Sequence, residues 1–506
     1  MSRLLSIALV ASGLCFAGGL ALGARPLVTD GALTPQEKAH FIEWAVKAKS
    51  PADNWENHWV LRYFYVDVMY WVYIMSDHDP RILANLMVMA DKAVDRNNKR
   101  DVRRLIHVGW DDQTNKPIGE VLPSWPHSQD FGEDIDGNLV NEGDAGEVTV
   151  GAIFMCVAAR AIVETPEVWD QTVPGKDYTY LERARYYIDE SIDAVERSFK
   201  RLYVDPETLE QQYQVDFPPP PLGRGWRGRG VFVPFNRVWH AQTLFTYLNP
   251  CLEQLGLHPD KVAEYDRITE VAMDTWINES MRRYSESGRK LLDYPYRFDP
   301  DEETNSEDVG HSAYDVFEIG AVYRSGRYPI VTNDILERWA NTIVYKVHQG
   351  DGTYAYRLSG EGKPKPENQP RQAYYQFKRF HPDLADHVKP PRHGWSSTLY
   401  FARAFAEIQV DCVVDSGPTR TTKSIAVTPG SSLVLTASFP EDDRYWSWVG
   451  PNGFEADGAS IEFGAVDREH HGTYAVTHAP PDGVERTTYL KVTVYDPDVL
   501  VNRGTN

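Results

Sequence analysis

The stretch Glu307-Asp308-Val309-Gly310-His311-Ser312-Ala313-Tyr314-Asp315 gathers carboxylates, an imidazole and a phenol within nine residues. His311 stands three residues after Asp308 and three before Tyr314, and Asp315 follows His311 by four. At helical pitch these intervals place side chains on adjoining parts of one face. Gly310 and Ala313 leave that face uncluttered, and Val316, Phe317 and Ile319 supply apolar anchors behind it. The segment reads as the first turns of a helix that carries groups able to take up and release protons. An acidic first turn answering the helix dipole accounts for the carboxylates, but not for His311 and Tyr314 beside them. Asp308-x-x-His311 also has metal-ligand spacing; without a second matching set it calls for no metal.

Further candidates lie in segments that open other predicted helices or run into this one. Asn141-Glu142-Gly143-Asp144-Ala145-Gly146-Glu147 leads into an apolar helix, so Glu142 and Glu147 are either ligand-facing carboxylates or an acidic helix start. Asn236 is a natural N-cap, and His240 lies four residues on, with Arg237 and Trp239 nearby. Between Pro218 and Gly230 stand Arg224, Trp226, Arg227 and Arg229, the one strongly basic patch of the chain. In so acidic a protein, Trp226 and Arg227 fit recognition of a carboxylate or sulfate, or else belong to a solvated loop. Arg297, after Tyr294-Pro295-Tyr296, is an anion clamp by type. His393, in Arg392-His393-Gly394-Trp395, serves equally well as a substrate contact or a cap.

Taken together these are acid/base groups, arginines and carboxylates, the inventory that β-elimination on a uronic-acid polysaccharide requires. The C5 proton of a uronate is weakly acidic, and its carboxylate must be neutralised as negative charge builds. A Tyr or His then removes the proton and returns one to the leaving O4. This chemistry needs neither metal nor organic cofactor.

The elements that must hold these groups are helices joined by long loops, from Thr34 to about Gln409. Thr34-Pro35-Gln36-Glu37 is a capping box with Pro at N1. Periodicity predicts helices over 59–75, 81–94, 148–163, 180–202, 237–255, 261–283, 313–323, 332–347 and 395–408, with hardly a credible strand between them. Loops 109–146, 205–234, 291–310 and 350–394 are long, as functional loops often are. Helices with elaborated loops predict a mainly α fold, an (α/α) toroid or barrel over residues 24–410, with its cleft at the mouth. A linker follows at 411–420. Short alternating strands over 421–497, with turns at Pro451-Asn452-Gly453 and Asp482-Gly483, predict a small β-sandwich, and 498–506 form a tail. Tyr474, in Asp467–Tyr474, resembles the corner tyrosine of an immunoglobulin-like domain, with Trp446 or Trp448 in its core.

Met1 to Gly23 reads as a cleaved secretory signal, which predicts a secreted or periplasmic protein. No later segment is long and apolar enough to span a bilayer. A formal charge of −21 argues against a nucleic-acid partner, whereas net charge says little about one cleft. Aromatic residues make up 12%, including 14 Trp and 28 Tyr, and such rings either fill a large core or offer platforms to sugar faces.

With Asn236/His240 and His311/Tyr314 on separate helices, the layout resembles the toroid polysaccharide lyases that act on alginate, glucuronan and glycosaminoglycans. The resemblance covers roughly residues 34–409. It implies Tyr314 as proton shuttle, His240 or His311 as base or neutraliser, Asn236 and Glu147 as neutralisers, and Arg297 as binder. Arg237, Glu142 and Asp308 join them as substrate contacts, and Tyr294 or Tyr296 competes for the shuttle. The alternatives are an inverting glycoside hydrolase using Glu147 with Asp308 or Glu142 with Glu307, about 6.5–9.5 Å apart, and a non-catalytic carbohydrate-binding protein.

Overall fold

Two kinds of helix alternate along the chain, one apolar all round and one apolar along a single stripe. The computed structural model describes residues 35–49, 64–76, 78–97, 99–100, 107–111, 116–125, 136, 145–214, 229–299, 305–381, 383–389, 408–417, 419–421, 424–438, 444–479 and 486–495. Among them are eleven α-helices: α1 (Pro35–Lys47), α2 (Phe64–Met75), α3 (Pro80–Arg96), α4 (Ala145–Val163), α5 (Tyr180–Ala194), α6 (Lys200–Tyr203), α7 (Phe235–Gln254), α8 (Pro259–Asp274), α9 (Ser312–Ser325), α10 (Asn333–Thr342) and α11 (Leu384–His387).

Every residue from 148 to 163 in α4 is buried, as expected of a helix without a polar face. It packs against α2, α3, α5 and α7, and α7 packs in turn against α8 and α9. Two helices are striped instead: α3, which packs on α4, and α10, which packs against the segments 289–293 and 372–380. In α3 the buried set is Ile82, Leu83, Leu86, Met87, Met89, Ala90, Ala93 and Val94; in α10 it centres on Ile335, Leu336 and Trp339. The fold is thus mainly α, with apolar helices inside and amphipathic ones against them. Two polar ties cross this interior. Arg324 in α9 donates to Asp67 in α2 at 2.6 Å, and Arg160 in α4 donates to the Thr246 carbonyl in α7 at 3.1 Å.

Three small hairpins interrupt the helices: β1 (His107–Asp111) with β2 (Lys116–Val121), β3 (Arg282–Glu286) with β4 (Arg289–Asp293), and β5 (His348–Gly350) with β6 (Thr353–Tyr354). They correct the expectation of helices without strands. The predicted helix 261–283 ends in a π-helical turn, Thr275–Ser280, and its last residues enter β3. Strand β3 carries polar residues on both faces, so alternation gives no signal, while Ser287 and Gly288 supply the two positive-φ residues of a tight hairpin.

After residue 408 come β7 (Gln409–Val414), β8 (Arg420–Thr421), β9 (Ser424–Val427), β10 (Leu433–Ser438), β11 (Trp446–Val449), β12 (Glu455–Asp457), β13 (Ser460–Phe463), β14 (Gly472–His478) and β15 (Arg486–Val494). They form two sheets, ordered β13-β10-β7-β8 and β12-β11-β14-β15-β9, around one apolar core. Asp411–Val414, read above as linker, lie in β7 and pair with β10. Both Trp446 and Trp448 are buried, and the Tyr474 hydroxyl donates to the His470 carbonyl at 3.1 Å, the bond of a tyrosine corner.

The sandwich docks on the helical body. His471 Nε2 lies 2.9 Å from Glu167, Thr493 Oγ1 donates to the Glu164 carbonyl, and Tyr495 packs on the helical core. A cavity of about 70 Å³ remains beside this seam, lined by Arg160, Arg327, Ile425 and Tyr495 among others. No helix among the described residues is long and apolar enough to cross a membrane.

Candidate active site at the start of α9

Three extended segments frame the start of α9. Pro295 bridges to Ser306 and Asp308 to Arg357; Glu307 N donates to Tyr294 O at 2.7 Å, Leu358 N to Glu307 O at 3.0 Å, and Val309 N to Tyr356 O at 3.0 Å. Phe235 N donates to Tyr296 O at 3.1 Å, which fastens this frame to the start of α7. Backbone bonds alone thus fix this frame.

The sequence reading placed Asp308 on the helix face. It sits instead just before α9, as a cap: its Oδ1 accepts from Gly310 N at 2.8 Å and His311 N at 2.9 Å. Its Oδ2 lies 2.5 Å from His311 Nδ1. Burial pushes the Asp308 carboxyl up, but the His311 ring and the backbone N–H groups outweigh it and hold the group below the usual carboxylate range. An ionised carboxylate only accepts, so His311 Nδ1 carries a proton toward Asp308, and in the neutral ring Nε2 is the nitrogen left with a lone pair. The His311 side chain is about half exposed, and the Tyr296 ring lies 5.7 Å from it.

One turn along α9, the half-buried Tyr314 accepts from Arg371 Nη1 at 2.8 Å, with the guanidinium 5.2 Å from the ring centroid. A Cβ on Gly310 would lie 3.0 Å from Asp308 Oδ1 and 3.6 Å from Arg371 Nη2. The glycine thus leaves room for the Asp308 carboxylate to fold back over the His311 turn. Exposed Tyr356 brings its hydroxyl to 3.4 Å from Asp308 Oδ2, and the Asp308 charge raises that phenol above its ordinary value.

Beneath this surface lies a buried acid layer. Glu307 is 1% exposed; burial and then the neighbouring Asp315 raise its carboxyl to about 9, so it is protonated near neutrality. Its Oε1 accepts from Asp308 N at 2.7 Å. Asp315, fully buried, is raised well above the usual range by burial and by Glu318, and it accepts from the Tyr294 hydroxyl at 2.7 Å. His240 Nδ1 lies 2.9 Å from Glu318 Oε1.

His311, Tyr314 and Asp308 come together. His240 and Asn236, expected to touch substrate, are 0% and 3% exposed; the described part of α7 is buried along nearly its whole length, polar residues such as Gln242, Thr243 and Asn249 included, so these i and i+4 positions point into the body. Tyr294 is likewise sealed, which removes it as a shuttle, and burial holds its phenol well above the ordinary value. Arg237 is half-buried in the first turn of α7. Arg297 is partly exposed and lies 3.8 Å from Asp299. Glu147 falls in the first turn of α4, its side chain outside the described residues, and Glu142, Trp226, Arg227 and His393 lie outside them altogether.

Sequence reasoning missed Arg371 and Tyr356. Both sit in the 350–394 loop, where only the aromatic run after Arg371 hinted at packing. It also missed that Asp315 and Glu318, at four and seven residues from His311, turn inward.

Glu307, Asp308 and His311 each offer a ligand atom within 4.8 Å of the others, the one such grouping among the described residues. Three local donors already engage the Asp308 oxygens, so these residues present an oriented carboxylate–imidazole pair rather than an open ligand set. Compared with protein-family models, curated proteins and solved structures, the chain finds no match in any of the three.

Proposed function

We propose that this chain is a polysaccharide lyase that cleaves a uronic-acid-containing polymer by β-elimination at the start of α9. The observation that carries the reading is the meeting of an Asp308-oriented His311 with the Tyr314–Arg371 pair, one helical turn apart.

In the proposed reaction His311 Nε2 removes the C5 proton of a bound uronate. Arg371 faces the sugar carboxylate, where its fixed charge opposes the negative charge that builds as the C–H bond breaks. The C4–O4 bond then breaks, the C4=C5 double bond forms, and the Tyr314 hydroxyl supplies the proton that O4 takes away. Solvent exchange returns the Tyr314 proton and removes the one held by His311. Asp308 holds the imidazole in the useful tautomer, much as a buried acid does in other acid–base sites.

The helical body would be an α/α toroid in this reading. The succession of α2, α4, α7 and α9 inside, with striped helices against them, supports that arrangement. Export by way of residues 1–23 belongs to the same proposal, since the substrate is an extracellular polymer.

A hydrolytic reading has one observation in its favour: Glu307 is held neutral and Asp308 ionised, the split that acid and base roles require. Against it, Glu307 is buried beyond reach of a glycosidic oxygen, and its ligand atom lies within 4.8 Å of that of Asp308, closer than an inverting pair at about 6.5–9.5 Å.

The test is incubation with alginate, glucuronan, hyaluronan and chondroitin, following ultraviolet absorbance of unsaturated uronate together with reducing ends. A lyase raises both signals, and His311→Ala abolishes both. Reducing ends without absorbance would replace this reading with hydrolysis.

A further inference from the structure

Among the described residues only five large apolar side chains stand exposed, and two of them, Tyr296 at 39% and Tyr356 at 47%, border the His311 site. The other three are Val88, Tyr445 and Val449. The two tyrosines reach the site from different loops. Tyr296 brings its ring to the His311 imidazole, and Tyr356 brings its hydroxyl to the carboxylate that orients that imidazole.

Both loops are braced at the tyrosine itself. The Tyr296 carbonyl accepts from Phe235 N at the start of α7, and the Tyr356 carbonyl accepts from Val309 N; Tyr356 N donates to Glu361 O at 3.1 Å. Gly362, at φ +86°, closes this small loop so tightly that a Cβ there would lie 2.8 Å from Tyr356 Cβ. Arg357, beside it, is held by the Ser306 carbonyl. Exposed aromatic rings on fixed backbone lose little entropy when a ligand covers them. They offer flat apolar faces with a polar tip, a surface that suits the C–H face of a pyranose ring.

Resting on the lyase reading, we propose that Tyr296 and Tyr356 are stacking platforms for the sugar units neighbouring the reacting uronate. The site would therefore recognise a stretch of polymer rather than one acidic sugar. Arg371 and Arg357 supply the charge complement, since stacking alone would not select an acidic chain.

The experiment measures binding in the inactive His311→Ala protein by calorimetry. Probes are uronate disaccharides and octasaccharides prepared from alginate, glucuronan, hyaluronan and chondroitin. The octasaccharide should bind at least tenfold more tightly than the disaccharide. Tyr356→Ala and Tyr296→Ala should each remove about tenfold of the octasaccharide affinity, roughly the strength of one aromatic contact, whereas the Phe variants should retain it. Unchanged octasaccharide affinity in both Ala variants overturns the platforms, and leaves the lyase intact if the parent still forms unsaturated ends. Tyrosine-dependent binding in a parent that forms no such ends keeps the platforms and defeats the lyase. Failure to bind any octasaccharide overturns the platforms, and the lyase with them where the parent forms no unsaturated ends.

Discussion

Arg371 donates to the Tyr314 hydroxyl at 2.8 Å across 57 residues of sequence. The contact joins a helix start to a loop that shares no pattern with it, and it gives the proposed site its positive charge. Replacing Arg371 by Ala should lower kcat/KM on a uronate polymer about 100-fold, the scale of losing one donor to developing charge. Lysine should restore little, because a point charge lacks the planar fork. A variant within threefold of the parent would remove Arg371 from the reaction.

Asp308→Asn separates orientation from fold. Asparagine still caps the turn, so the melting temperature should move little. The amide no longer demands a proton on His311 Nδ1, and the rate should fall at least about 100-fold. Paired thermal unfolding and initial rates check this; an equal loss of stability and rate would make Asp308 merely a cap.

Glu307 predicts a pH dependence of stability. Its folded value is raised to about 9 from an ordinary 4.5, so between those limits the folded protein holds a proton that the unfolded chain has released. The contribution is complete below the unfolded value and is lost as pH rises toward about 9. Glu307→Gln keeps an acceptor for Asp308 N and abolishes the titration. Its denaturant midpoint should vary less between about pH 5 and about pH 9 than the parent's. Parallel pH curves would refute the assignment.

Asp67 is 2% exposed and binds Arg324 at 2.6 Å, the Trp71 indole at 3.2 Å and the Tyr247 hydroxyl. Asp67→Ala leaves the buried guanidinium without its counter-charge and should cost roughly 3–5 kcal/mol, read as the shift in urea unfolding. A loss under about 1 kcal/mol would show that water reaches this part of the interior.

What could be read from the chain follows from how each signal is stored. The runs that became α2 and α4 were legible because continuous apolar sequence has few other homes. The Tyr474 corner was legible because it is a local motif. Strands β3 and β4 escaped because both faces of β3 are polar, and β7 because its start was masked by a composition change mistaken for a linker. At the site, the three- and four-residue spacings brought His311 and Tyr314 to notice, and Asp308 came with them for a different reason, as a cap. The same arithmetic misplaced Asn236 and His240, since spacing says which residues share a face but not whether that face meets water. Arg371 and Tyr356 carry no local signal; only tertiary contact brings them in.

Glu167, at the far end of the α4 region, is half-exposed yet pushed down to about 2; burial raises it, and the His471 bond and Lys491 charge more than reverse that. Lys38 of α1 meanwhile lies 5.0 Å over the Tyr489 ring. The β unit is thus lashed at once to the first helix and to the turn that follows the fourth. Severing the chain ahead of Gln409 would strip partners from Glu167, from the Glu164 carbonyl and from Lys38 together, and would bare the apolar patch under Tyr495. The helical half would leave such surgery less soluble, not merely shorter.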